Sequence, residues 1–460
     1  MGKKRVLIIT GDPIGASMAG PAIRAWHMAY SLTQAGNSVR LLSCTSVEKI
    51  EVPFGLEYVA FGDDESFKVH EQWAEVIIFQ GHALLVFEVL RKSNKILVAD
   101  IYDPMHLEQL EQAKNLPTEK WVERVKSETD VLNDQLLRGD FFICASERQR
   151  DFWLGQLAAL GRLNPYVYKK DNSLDSLIAV VPFGLSEVEP IHTRNVMKGV
   201  IPGIGINDQV ILWSGGLYDW FDPQTLIKSV AQLSKKYPTV KLFFQGTKHP
   251  NPHVTEMDIV KTSKELAGSL GVLDTNVFFN DSWVPFSERS NFLLEADIGV
   301  STHHLHVETA FSFRTRILDY LWARLPMVVT RGDFFANLVE LKQLGITVED
   351  KDTSDLTIAL EKILFDKELH SKFRSNIEKV RAEFYWNTVF SPLVDFVNNA
   401  CHASDNEIWI KEGRNFEFQA EQLKQPVGFK YLVTAAIHTY KKEGLTGLFS
   451  KISRFVNRKN

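Results

Sequence analysis

The stretch Ser301-Thr302-His303-His304-Leu305-His306-Val307-Glu308-Thr309-Ala310-Phe311-Ser312-Phe313-Arg314-Thr315-Arg316-Ile317-Leu318-Asp319-Tyr320-Leu321 is the most informative in the chain. It follows an apolar run at 298–300 and leads into a helical pattern. Arg314, Arg316 and Asp319 fall near the start of that helix, where exposed backbone N–H groups and the helix dipole favour a diphosphate. Ionised carboxylate oxygens hold donors strongly, so Asp319 suits a pair of sugar hydroxyls. His303, His304 and His306 lack the helical i, i+4 spacing or extra Cys/Asp ligands usual in zinc sites. They read as hydrogen-bonding groups, and no metal is expected.

Two glycine-rich turns could approach the same anion. Gly11-Asp12-Pro13-Ile14-Gly15-Ala16-Ser17-Met18-Ala19-Gly20-Pro21 opens a helix that carries Arg24 early, a bidentate phosphate donor by type. Its spacing is not GxGxxG, which weakens a nicotinamide-dinucleotide reading. Trp213-Ser214-Gly215-Gly216-Leu217-Tyr218 places Gly215 and Gly216 directly after a strand, where bare backbone can meet a diphosphate. Elsewhere Gln80-Gly81-His82 and Asp100-Ile101-Tyr102-Asp103-Pro104 end strands. His82 or Asp103 could orient or deprotonate an acceptor hydroxyl there. Ser146 is expected to cap the next helix, with Arg148 and Arg150 near the same opening.

The elements that position these residues come in two series. Uniformly apolar runs at 6–10, 39–43, 76–79, 96–99, 141–145 and 178–181 alternate with helical patterns, the mark of a parallel sheet covered on both faces. An irregular stretch follows, with Pro190, Pro202, Gly203 and Gly205. A second series runs through 210–213, 240–244, 277–279, 298–301, 327–330 and 346–348, and Asp222 and Pro223 mark its first helix start. The fold class expected is α/β, with two doubly wound Rossmann-like domains facing across a cleft and a helical carboxyl-terminal tail. The expected boundaries are a first domain at 1–185, a linker at 186–208, a second domain at 209–383, a crossing helix at 384–400 and a tail at 401–460.

The chain has 460 residues, long enough for two such cores, and its net charge of −5 argues against nucleic acid as a partner. Three scattered cysteines fit a reducing compartment. The basic start and the run at 6–9 are too short for a signal peptide, and no run is long enough to span a bilayer. A cytoplasmic location follows, at the inner membrane face if the tail binds there.

On these residues the chain resembles the GT-B retaining glycosyltransferases of the family 4 group, across roughly residues 5–396. Arg316-Ile317-Leu318-Asp319-Tyr320-Leu321-Trp322-Ala323-Arg324-Leu325-Pro326-Met327-Val328-Val329 is similar to the family's acidic helix and A-x-G-x-P-V-V segment. Gly20-Pro21-Ala22-Ile23-Arg24 resembles its phosphate-side glycine loop. The family's E-x7-E pair would place its second acid at Asp319, holding the nucleotide ribose. Its first position falls on Phe311, and Glu308 is the nearest acid for the transferred sugar. The usual Arg and Lys after the second domain's first strand are replaced by Tyr218-Asp219-Trp220-Phe221-Asp222. The resemblance leaves Arg314, Arg316, Arg24 or Lys248 to meet the phosphates. It implies a nucleoside-diphosphate sugar as donor substrate, no cofactor and no metal, and retention at the anomeric carbon. The acceptor expected is a growing surface glycan, lipid-linked if the carboxyl-terminal tail meets a membrane. The alternatives are a GT-B sugar-nucleotide epimerase, a phosphorylase, for which no pyridoxal-phosphate lysine motif is visible, or a catalytically inactive GT-B partner subunit.

Beyond Cys401 the pattern changes. Phe429, Leu432, Val433, Ala436, Ile437 and Tyr440, then Leu445, Leu448, Phe449, Ile452, Phe455 and Val456, recur at helical spacing among lysines and arginines. A basic amphipathic helix suits either an anionic membrane surface or packing on the protein body or a partner.

Overall fold

Strands buried on both faces need apolar side chains in both directions, and the runs read from the sequence do form such strands. The computed structural model describes residues 3–16, 18–247, 257–282 and 284–411. The first sheet holds β1 (Arg5–Thr10), β2 (Ser38–Ser43), β3 (Gly55–Tyr58), β4 (Val76–Gln80), β5 (Ile96–Asp100), β6 (Phe141–Cys144) and β7 (Ile178–Val180). The second holds β8 (Gln209–Trp213), β9 (Val240–Phe244), β10 (Val277–Phe279), β11 (Ile298–Ser301), β12 (Met327–Thr330) and β13 (Gly345–Val348). The orders are β3-β2-β1-β4-β5-β6-β7 and β10-β9-β8-β11-β12-β13, with parallel pairing throughout. Each sheet reverses its strand order once, between β1 and β4 and between β8 and β11, and such switch points open crevices at the strand carboxyl ends.

β3 has no counterpart among the apolar runs. It is an edge strand paired only to β2, and its Glu57 and Tyr58 face solvent, so it needs no continuous apolar sequence.

Helix starts follow their expected chemistry. The helix Gly20–Gln34 has Pro21 in its first turn and buries Ala22, Ala25, Met28, Ala29 and Leu32, one face at 3–4-residue spacing, against the first sheet. Asp222 Oδ1 accepts from the Thr225 N–H at 3.0 Å to start the helix Pro223–Lys236, and Ser146 Oγ accepts from the Gln149 N–H at 3.2 Å to start Glu147–Ala159.

The chain returns to the first sheet near its end. Val389, Phe390, Leu393 and Val397 share a core with Val6, Ala22 and Met28, and Phe396 stacks on Phe141 with ring centroids 4.1 Å apart. Residues 401–411, read as the opening of the tail, are instead docked. Asp405 on the helix Ser404–Lys411 accepts from Arg162 Nε at 2.8 Å, and both side chains are fully buried. Residues 412–460, with the basic amphipathic pattern and its membrane reading, lie outside the described residues. Among the described residues no helix is long and apolar enough to cross a membrane.

Candidate active site

The loops after β1, β5, β8, β9 and β11 line one cleft of about 860 Å³, which takes residues from both halves. The helix Arg316–Trp322 forms part of its second-half wall, and Tyr320 ties that helix to two strands. The Tyr320 ring covers Gly299, where an added Cβ would meet ring carbons at 2.6 Å. The Tyr320 hydroxyl accepts from the Ser214 N–H at 3.1 Å and lies 2.8 Å from the Val300 carbonyl and 3.0 Å from the Leu212 carbonyl. The helix, β8 and β11 are thereby fixed together, with Arg316 and Asp319 on the cleft side.

Arg316 is buried at 7% exposure, with Nη2 donating to the Gly216 carbonyl at 2.9 Å and its guanidinium 4.1 Å from the Trp213 ring and 4.4 Å from the Phe221 ring. Its Nη1 has no partner among the described residues. Burial, with help from Arg314, lowers its pKa to about 10, so it remains a cation at neutral pH. Arg314 donates to Glu308 at 3.0 Å and leaves Nε without a partner. Two buried guanidiniums with unmet N–H groups at a cleft are costly unless an anion completes them. Gly215 and Gly216 form the adjoining rim. Gly215 has φ +79°, a left-handed conformation that glycine adopts without strain, and a Cβ there would meet nothing within 4 Å. Asp319 accepts from Ser214 Oγ at 2.6 Å and pairs with Arg289 Nη1 at 3.0 Å.

Across the cleft stand Asp12, Asp103 and Glu108. Burial and the charges of Glu308 and Glu128 push the Asp103 pKa up to about 7, against a smaller opposing effect of His82. His27, neutral because burial and Arg289 lower its pKa to about 4, stacks on Trp386 at 4.3 Å. Gly20 lines the same wall, where a Cβ would make only ordinary contact with Phe183 at 3.8 Å.

Several sequence expectations are displaced. Arg24 does not reach the cleft's open volume as a phosphate ligand. It is fully buried beneath the floor, bidentate to Asp100 at 2.8 and 2.9 Å, and it donates to the carbonyls of Val181 and Pro182. The cause is the partner at the end of β5, which captures the guanidinium before any ligand can. His82 is not a cleft residue. It sits at the start of a short helix and bonds Glu128 at 2.8 Å, an interaction that raises its pKa. Arg148 donates to the Gly332 carbonyl at 2.6 Å, bridging the halves. Lys248 lies outside the described residues. Of the histidines, His303 bonds the Arg331 carbonyl, and His306 caps the helix Val307–Phe311 by accepting from the Thr309 N–H. His304 Nδ1 lies 3.3 Å from Asp350 and 3.8 Å from Asp222, a grouping with metal-ligand chemistry away from the cleft lining.

No family model and no curated protein sequence matches the chain. Solved structures do. Sucrose-phosphate synthase from Thermosynechococcus elongatus aligns with a TM-score of 0.62 at 14% identity, over 86% of this chain and 99% of that one. Anabaena HepE in complex with UDP-glucose aligns with a TM-score of 0.61 at 13% identity, over 86% and 100%. WaaG, a glycosyltransferase involved in lipopolysaccharide biosynthesis, aligns with a TM-score of 0.58 at 15% identity, over 86% and 100%.

The fold is GT-B.

Within this GT-B frame, sequence reasoning missed Arg289, Glu108, Gln245 and Trp386, all cleft residues. Gln245 follows β9 directly and could have been found as a polar residue at a strand end. The other three carry no spacing signal, since only packing brings them to the GT-B cleft.

Proposed function

We propose that the chain is a glycosyltransferase that moves a sugar from a nucleoside diphosphate to a hydroxyl acceptor, with retention of anomeric configuration. The observation that carries this reading is the pair of buried arginines, Arg314 and Arg316, with unmet N–H groups beside the Gly215–Gly216 rim. These donors stabilise the diphosphate as it leaves, when its negative charge grows. Ser214 and Asp319 lie beside them, and Asp319 is the group for the ribose hydroxyls. Glu308, held by Arg314, faces the transferred sugar. The sugar gains oxocarbenium character as the bond lengthens, and the acceptor hydroxyl attacks from the leaving-group face. Its proton passes to the departing phosphate oxygen, and Asp103 orients it by accepting its hydrogen bond. The UDP-glucose held by the HepE neighbour supports a uridine nucleotide as the first donor to test. The tail's basic amphipathic pattern supports a lipid-linked acceptor at a membrane surface, in cell-surface glycan synthesis.

A thermal-shift panel of UDP, GDP, dTDP and ADP sugars tests the donor class. Stabilisation by none of them refutes the reading. With the stabilising donor in hand, Asp319→Ala should weaken its binding by about 1–3 kcal/mol. Unchanged affinity removes the ribose assignment.

The pH dependence follows from Asp103. Its carboxyl titrates near 7 rather than at the ordinary 3.8. Turnover should therefore rise as pH increases through about 7, and Asp103→Asn should flatten that limb. The stability effect has the opposite sense. Because the folded protein holds this proton more tightly, the stabilisation is complete below about pH 4 and is lost as pH rises through 7. Asp103→Asn should shrink that decline in denaturant titrations at pH 5 and pH 8, and the remainder belongs to Glu108 and Asp333, whose pKa values burial also raises.

A further inference from the structure

The cleft is divided by charge. Every arginine that lines it, Arg289, Arg314 and Arg316, belongs to the second half, and among the described lining residues the first half contributes no lysine or arginine. What the first half contributes is three carboxylates, Asp12, Asp103 and Glu108, and a histidine that is neutral at pH 7. None of those three side chains makes a hydrogen bond or ion pair within the described residues, whereas nearby acids do. Glu128 is taken by His82, Glu308 by Arg314, and Asp319 by Ser214 and Arg289. Glu108 feels the charge of Arg314, but no hydrogen bond or ion pair among the described residues answers any of the three first-half acids. Aromatic faces complete this wall. Tyr102 and Phe183 pack edge to face at 5.0 Å, Trp386 stacks on His27, and Tyr218 and Trp220, stacked at 5.0 Å, stand opposite.

Carboxylates without protein partners accept hydroxyl and ammonium donors, and aromatic faces take the apolar face of a sugar ring or an attached cation. Burial raises the pKa of all three acids, so this wall disfavours negative charge, and an anionic group placed in the same low-dielectric space would meet the same cost. We infer that the acceptor is a glycan whose reacting end carries an amine or no charge, and that sugar phosphates and uronic acids are rejected. This rests on the donor assignment to the second half made above.

The test uses the full chain, with and without saturating UDP, and four probes built on one ring: glucosamine, glucose, glucuronate and glucose 6-phosphate. Saturation-transfer NMR competition reads their relative affinities. Glucosamine and glucose should bind at least about tenfold more tightly than the two anions. The double variant Asp12→Asn, Glu108→Gln should narrow that gap at least about threefold, with its UDP-induced thermal shift showing that it is folded. Equal or tighter binding of either anion by the native chain overturns the inference. So does an unchanged gap in the folded variant, or no binding of any of the four. Loss of the UDP shift in the native protein overturns the nucleotide reading instead, because the sugar preference is also measured without UDP.

Discussion

Arg24→Met is expected to cost about 3–5 kcal/mol of folding stability while leaving the nucleotide affinity of the folded protein unchanged. The argument is one of stranded charge. Arg24 and Asp100 are both fully buried side chains in a bidentate pair, and among the described residues Asp100 has only Gln80 Nε2, at 2.9 Å, as another side-chain partner. Removing the guanidinium also frees the carbonyls of Val181 and Pro182. Urea unfolding reads the first effect and calorimetry with UDP the second. A loss below about 1 kcal/mol, or a large drop in UDP affinity by folded protein, would restore Arg24 to the ligand site.

Arg316→Met should do the reverse. Nucleotide affinity should fall by a factor of about 10–100, equivalent to roughly 1.5–3 kcal/mol for a charge-assisted contact. Stability should hold or rise. The arginine is packed between Trp213 and Phe221 with an unmet Nη1, a costly way to bury a cation in the unliganded protein. A methionine of similar length fills the same aromatic slot without a charge. Melting curves and UDP titrations of one preparation separate the two effects. Coincident losses of both would mark Arg316 as structural.

These two arginines also show how far the sequence could be read. Both follow a predicted strand and open or enter a helix, so local pattern treats them alike. What separates them is a long-range partner. Arg24 meets Asp100 across 76 positions of sequence, whereas Arg316 has no acid hydrogen-bonded to it among the described residues, only a carbonyl and two aromatic rings. The twelve apolar runs were legible because a strand covered on both faces must be apolar in both directions, and β3 was not because an edge strand need not be. Gly299 carries no local signal either, since its lack of a side chain matters only once the Tyr320 ring lies over it. His82 illustrates the remaining limit. A strand-end position places a residue near the cleft, but the neighbouring helix Thr118–Arg138 supplies Glu128 and draws the ring aside.

One amide joins the two chemistries of the cleft. Gln149 Nε2 donates at 2.7 Å to the carbonyl of Tyr102, next to Asp103, and at 2.7 Å to the carbonyl of Phe311, three residues before Arg314. A planar NH2 group has a fixed angle between its two hydrogens, so this side chain acts as a spacer between the Asp103 wall and the Arg314 wall. A swing of one half against the other would have to break one of those bonds together with the Arg148–Gly332 contact. That spacer is a neutral group, indifferent to pH and only weakly sensitive to salt, between two walls that carry buried ionisable side chains.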